Sequence, residues 1–151
     1  MISQRPVTHK LLVVDDDIDV RRTLVILLGT THEVLEASAG DEALRIIEKE
    51  RPRLMLLDIS MPGMSGIEVL KQARSMNAAI IVIMLTGEKD IGIAKHALDI
   101  GAIEYITKPF DLDYLRSTVN RLLEKTTKDY RKDSGLPWRM ANPPKDAPQE
   151  G

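Results

Sequence analysis

Arg53-Leu54-Met55-Leu56-Leu57-Asp58-Ile59-Ser60-Met61-Pro62-Gly63-Met64-Ser65-Gly66 is the stretch on which the fold turns. An apolar run that stops at an acid and then turns through Pro-Gly describes a buried strand handing a carboxylate to a loop. Ser65-Gly66-Ile67-Glu68 then has the Ser-x-x-Glu form of a helix start. Strand, acidic loop and helix in that order make a βα unit, and the rest of the chain repeats it.

Working outward, Lys10-Leu11-Leu12-Val13-Val14-Asp15 is a second apolar run ending in acids. Asp17 is placed to cap the helix that follows, whose apolar face is Val20, Leu24, Leu27 and Leu28. Gly29 stands at its expected C-cap. His32 to Ala37 is a weaker strand, and Gly40-Asp41-Glu42 opens a helix that Pro52 bars from continuing. Beyond Asp58, the run from Ala78 to Thr86 contains Ile80-Ile81-Val82-Ile83-Met84-Leu85. Its lack of alternation predicts burial on both faces, as in a central parallel strand. A fourth helix is expected over Lys89 to Ile100 and a fifth strand over Ile103 to Thr107. Lys108-Pro109 ends that strand, and Asp111 caps a fifth helix. Strands alternating with helices imply parallel βα units with right-handed crossovers. Strands one, three and four are the apolar ones and belong in the middle. The expected fold is therefore α/β, a flavodoxin-like (βα)5 three-layer sandwich with a five-stranded parallel sheet in the order 2-1-3-4-5.

In such a sheet the ligand site lies at the carboxyl ends of the strands. Those ends carry Asp15, Asp16 and Asp17, then Asp58, then Thr86, then Lys108. Singly, each has an ordinary reading as a cap, a turn residue, a strand hydroxyl or a solvated amine. Together they place acids, a hydroxyl and an amine on one edge. Crowded carboxylates raise one another's pKa or recruit a cation. Mg2+ suits one or two carboxylates and keeps open positions for phosphate oxygens. Lys108 can hold a phosphoryl oxygen as a point charge, Thr86 can donate to another, and an aspartate can itself accept the phosphoryl group. The set reads as phosphoryl transfer at a Mg2+-bound aspartate.

Four segments resemble the receiver domain of two-component response regulators. They are Val13-Val14-Asp15-Asp16-Asp17, Leu56 through Gly66, Met84-Leu85-Thr86-Gly87, and Gly101 through Phe110, which contains Tyr105-Ile106-Thr107-Lys108-Pro109. The resemblance covers residues 9–126. It implies that Asp58 accepts a phosphoryl group from a sensor histidine kinase or phosphotransfer protein. It implies that Asp15, Asp16, Asp58 and the backbone carbonyl of Ser60 hold Mg2+. It makes Thr86 and Tyr105 a switch pair, gives Lys108 the phosphoryl group to bind, and implies a cis Lys108-Pro109 bond. Phosphorylation would draw Thr86 inward and let Tyr105 turn, reshaping the helix 4–strand 5–helix 5 face. Where many transcription-factor receivers carry Asp-Asp-Tyr, this chain has Ile103-Glu104-Tyr105. Its output partner, a second copy or a downstream effector, is not carried over.

The composition agrees with that reading. The chain has 151 residues, a net charge of -2, no cysteine and 3% aromatics, so a single aliphatic-core domain is expected. The charge balance offers no basic surplus for nucleic acid, and no apolar run is long enough to span a bilayer. A cytoplasmic setting with no signal peptide is expected. Residues 127–151 hold four of the prolines and much charge, and read as a tail or linker without an output domain. The chain is then a signalling phosphoacceptor rather than an enzyme. One alternative is a haloacid-dehalogenase-like phosphatase with Asp15 as nucleophile, although the Gly-Thr usual there is Ile18-Asp19. The other is a receiver fragment of a DNA-binding regulator or hybrid kinase.

Overall fold

The computed structural model describes residues 8–124. The expected domain end at 126 and the tail, 127–151, lie outside the described residues. The elements are β1 (Lys10–Val14), α1 (Ile18–Gly29), β2 (Glu33–Ala37), α2 (Gly40–Glu50) and β3 (Leu54–Asp58). They continue with α3 (Gly66–Met76), β4 (Ile81–Thr86), α4 (Ile91–Ile100), β5 (Glu104–Thr107) and α5 (Leu112–Glu124). All strand pairs are parallel, in the order β2-β1-β3-β4-β5. This is the flavodoxin-like order predicted from strand hydropathy, and the reason is visible in the burial. β3 and β4 are buried along their whole length, whereas β2 and β5 expose glutamate or threonine at the edges.

Because strand side chains alternate between faces, the sheet divides its apolar residues between two cores. Leu12, Val14, Met55, Leu57, Val82 and Met84 face α2, α3 and α4. Leu11, Val13, Leu56, Ile81, Ile83 and Leu85 face α1 and α5, meeting Leu24, Leu28, Leu115 and Val119. This completes the three-layer sandwich. Each fully buried leucine contributes roughly 1.5–3 kcal/mol by leaving water.

Helix starts follow the sequence closely. Asp17 Oδ1 accepts from the Asp19 and Val20 amides at 2.9 and 3.4 Å, Ser65 Oγ from Glu68 at 3.3 Å, and Asp111 Oδ1 from Tyr114 at 3.0 Å. Two boundaries differ. Gly29 is the last residue of α1, and Thr30 is the C-cap in a right-handed conformation. The end of α1 is satisfied by the Thr30, Thr31 and His32 amides donating to Leu28, so no left-handed glycine is required. The fourth helix begins with a 3-10 turn at Glu88–Asp90, and α4 proper starts at Ile91. Asp90 makes no side-chain cap, and an uncapped first turn tightens to satisfy its amides. Among the described residues, no helix is long and apolar enough to cross a membrane.

Candidate functional site

β1, β3, β4 and β5 end at the same edge of the sheet, and their last residues and following loops build the site. Asp15 follows β1 and is fully buried. Every polar group of Asp15 has a partner. Its amide donates to Ala37 O at 3.2 Å, Oδ1 accepts from the Asp17 amide at 2.9 Å, and Oδ2 accepts from Lys108 Nζ at 2.9 Å. Its carbonyl accepts from Arg21 Nη1 at 2.7 Å. Asp16 is exposed beside it. Asp58 ends β3 with only 4% of its surface exposed, and its Oδ1 accepts from the Ser60 amide at 3.3 Å.

Carboxylate oxygens of Asp15, Asp16 and Asp58 lie within 4.8 Å of one another. Lys108 Nζ is 3.4 Å from Asp58 Oδ1 and bridges it to Asp15. Burial and the neighbouring Asp15 charge push the Asp58 carboxyl up from 3.8 to about 6, against the opposing pull of Lys108 and the Ser60 amide. Burial pulls the Lys108 ammonium down, but its hydrogen bond to Asp15 and the charges of both aspartates outweigh that and raise it. The lysine therefore stays charged at neutral pH, and the Asp58 carboxyl titrates far closer to neutrality than an exposed aspartate does.

The loops explain how these groups are held. The Lys108-Pro109 bond is cis, as expected, and the Lys108 amide donates to Thr86 O at 2.7 Å, tying the β5 loop to the end of β4. Gly63 takes φ +78° in the turn after Pro62, a conformation glycine adopts without strain. Gly66 packs so closely on the Asp58 carbonyl that a Cβ there would overlap it.

Thr86 is fully buried, and its Oγ1 donates to the Gly87 carbonyl at 3.0 Å. Tyr105 is half-buried on β5 and packs against the core under α4. The structure thus gathers Asp15, Asp16, Asp58 and Lys108 into one cluster and stands Thr86 at its rim. Ser60 contributes its amide to Asp58. Arg21 and Gly66 belong to the site's construction and were not singled out by the strand-end reasoning. The proximity of Gly66 to the Pro-Gly turn was the available signal for it. Arg21, a helix arginine, gave none.

Three carboxylates facing one ammonium leave a surplus of negative charge. The donor set is all oxygen, and this is the chemistry of a hard divalent cation. Asp15, with both carboxylate oxygens already engaged, is poorly disposed to act as a nucleophile, which argues against the dehalogenase-like alternative.

Comparison with known proteins gives one answer. Residues 11–120 match the family model described as the response regulator receiver domain. The chain is similar to sporulation initiation phosphotransferase F of Bacillus subtilis, 36% identical over 116 residues, covering 76% of this chain and 94% of that protein. It is 38% identical to response regulator MprA of Mycolicibacterium vanbaalenii, covering 80% of this chain but 52% of the relative. The chain thus spans nearly all of one relative and about half of the other. The crystal structure of the receiver domain of NtrX from Brucella abortus superposes with a TM-score of 0.74 at 34% identity, covering 77% of this chain and 99% of that one. Vibrio cholerae chemotaxis protein CheY4 gives 0.70 at 32% identity, covering 76% and 98%.

Proposed function

This chain belongs to the response regulator receiver domain family of two-component signalling, and from that membership we propose that Asp58 is its phosphoacceptor. The observation that carries the assignment is the placement of Asp58: buried at the end of β3, ionisable near neutral pH, and 3.4 Å from Lys108. A carboxylate oxygen of Asp58 attacks the donor phosphorus, and an O–P bond forms. The P–N bond to the donor histidine breaks, and its electron pair leaves with the imidazole. Lys108 holds a phosphoryl oxygen, offsetting charge that Asp15 and Asp58 would otherwise repel. Asp15, Asp16, Asp58 and the Ser60 carbonyl would hold Mg2+, which, when bound, supplies further charge stabilisation to the transferring group.

The donor in this proposal is a sensor histidine kinase or a phosphotransfer protein, and the setting is cytoplasmic. The chain modifies itself and does not turn over a separate substrate. The added phosphoryl carries about -1.5 to -2 charges and three acceptor oxygens. The Thr86 hydroxyl then exchanges the Gly87 carbonyl for a phosphoryl oxygen. Tyr105 turns into the space released, and the α4–β5–α5 face changes. Output runs through protein contact at that face, to a second copy or an effector, or through a domain outside this sequence. The test is phosphorylation by acetyl phosphate with Mg2+. We expect incorporation in the unmodified chain, none in Asp58→Ala, and strongly slowed incorporation in Lys108→Ala. Incorporation that survives in Asp58→Ala and is lost in Asp15→Ala would reverse the assignment. Light scattering with beryllofluoride and Mg2+ separates self-association from an effector partner.

A further inference from the structure

We propose that Arg21 is a positioning residue for the cation site, setting the affinity of the Asp15–Asp16–Asp58 cluster for Mg2+ through its hydrogen bond to the Asp15 carbonyl. The proposal rests on the reading of that cluster as the Mg2+ site of phosphoryl transfer. Arg21 lies in the second turn of α1, and its side chain folds back past the N-terminus of its own helix. There Nη1 donates to Asp15 O at 2.7 Å, a short, charge-assisted contact. A second donor of the same guanidinium, Nε, reaches Glu36 Oε1 on β2 at 3.3 Å. The Arg21 side chain is only 14% exposed, and its contact to the Asp15 carbonyl is part-buried, whereas Glu36 is exposed and anchors the guanidinium from the solvent side.

The carbonyl that Arg21 holds belongs to the peptide joining Asp15 to Asp16. The orientation of that peptide decides where the Asp16 carboxylate points. On its other side the Asp15 amide is fixed to Ala37 O on β2, next to the Glu36 that anchors Arg21. The guanidinium therefore ties the β1–α1 loop to the neighbouring strand, as the Asp15 amide does through the main chain. Asp15 and Asp58 are already fixed by Lys108 and by the amides of Asp17 and Ser60. Asp16 is the one acid of the three that is exposed, and Arg21 holds the peptide before it as the Asp17 amide holds the peptide after it. Partners that orient metal ligands from outside change affinity by about 10–100-fold when removed. An arginine suits this task because its planar fork serves the carbonyl and Glu36 with separate donors, whereas a lysine presents one point charge.

The experiment is calorimetric titration of the full chain with Mg2+ alone, in the unmodified protein and in Arg21→Met, Arg21→Lys and Glu36→Gln. We expect Arg21→Met to bind Mg2+ about tenfold more weakly or worse, with Arg21→Lys and Glu36→Gln in between. In acetyl phosphate assays the Mg2+ concentration for half-maximal rate should rise while the rate at saturating Mg2+ changes much less. A merely structural role would not produce that split. Should Arg21→Met fail to fold, the other two variants carry the same test. Affinities equal to the unmodified protein's in the folded variants would overturn the role of Arg21. An unmodified chain that binds no Mg2+ would instead overturn the reading of the cluster beneath it.

Discussion

The Asp58 carboxyl sits where burial and Asp15 press for its neutral form while Lys108 presses for its charge, and the balance lies about 6. In the metal-free protein the folded state therefore holds a proton that the unfolded state, near 3.8, has already released. Stability should fall as pH rises through that window, and the loss is complete above about 6. Asp58→Asn removes the titration, so its metal-free stability should be flatter from pH 4 to pH 7 and higher at pH 7, on the order of 1 kcal/mol. Urea melts across that pH range measure this, and parallel curves for the two proteins would contradict it. Asp15, Asp58, Thr86 and Lys108 were legible in the sequence because each is a chemically distinctive residue at the end of an apolar run. Asp16 was legible as Asp15's neighbour. Arg21 was not. Its reach to a carbonyl six residues back depends on a side-chain path that spacing does not encode, and an arginine on a helix otherwise reads as solvated surface.

Among the elements, the β3–α3 connection does the most to aim the site. Gly66 begins α3 against the Asp58 carbonyl, and its amide donates to Ile59 O at 3.0 Å. Gly66→Ala should force that loop apart, costing about 1–3 kcal/mol and lowering the phosphorylation rate more than a substitution of equal stability cost far from the site. Thermal unfolding together with acetyl phosphate kinetics checks this, and a stable, fully active variant would count against it. Leu28, buried near the C-terminal end of α1 and so away from the carboxyl ends of the strands, offers such a comparison. Leu28→Ala should cost about 2–5 kcal/mol through the cavity it leaves, with a smaller loss of rate for each kcal/mol lost. Strand identities and order were legible because hydropathy separates buried strands from edges. The start of α4 was not, because a 3-10 turn and an α-helical turn share the same sequence signals, and only the missing Asp90 cap distinguishes them. Gly29 misled for a related reason: a glycine near a helix end is compatible with a left-handed cap but does not require one.

At the scale of the whole molecule, the sheet gathers its charges at one edge and leaves its two aliphatic cores to hold the fold. A cation bound at that edge should stabilise the entire domain, since the cluster exists only when β1, β3 and β5 are assembled. At a hundredfold excess over its dissociation constant, Mg2+ should add about 2.7 kcal/mol, and chelation should remove it. Calorimetric melting with Mg2+ and then with EDTA reads this directly, and an unmoved transition would oppose a cation site. The family was legible because four motifs fall in register over strands whose order hydropathy already gave. The partners were not, because a face that changes shape on phosphorylation carries no motif for what it meets. Chemical trapping of the acyl phosphate identifies the phosphoacceptor directly. The full chain is phosphorylated with acetyl phosphate and Mg2+, reduced with borohydride, digested and mapped by mass spectrometry. Homoserine is expected at position 58, with unmodified aspartate at 15 and 16. Homoserine at position 15 or 16, with Asp58 intact, would contradict it.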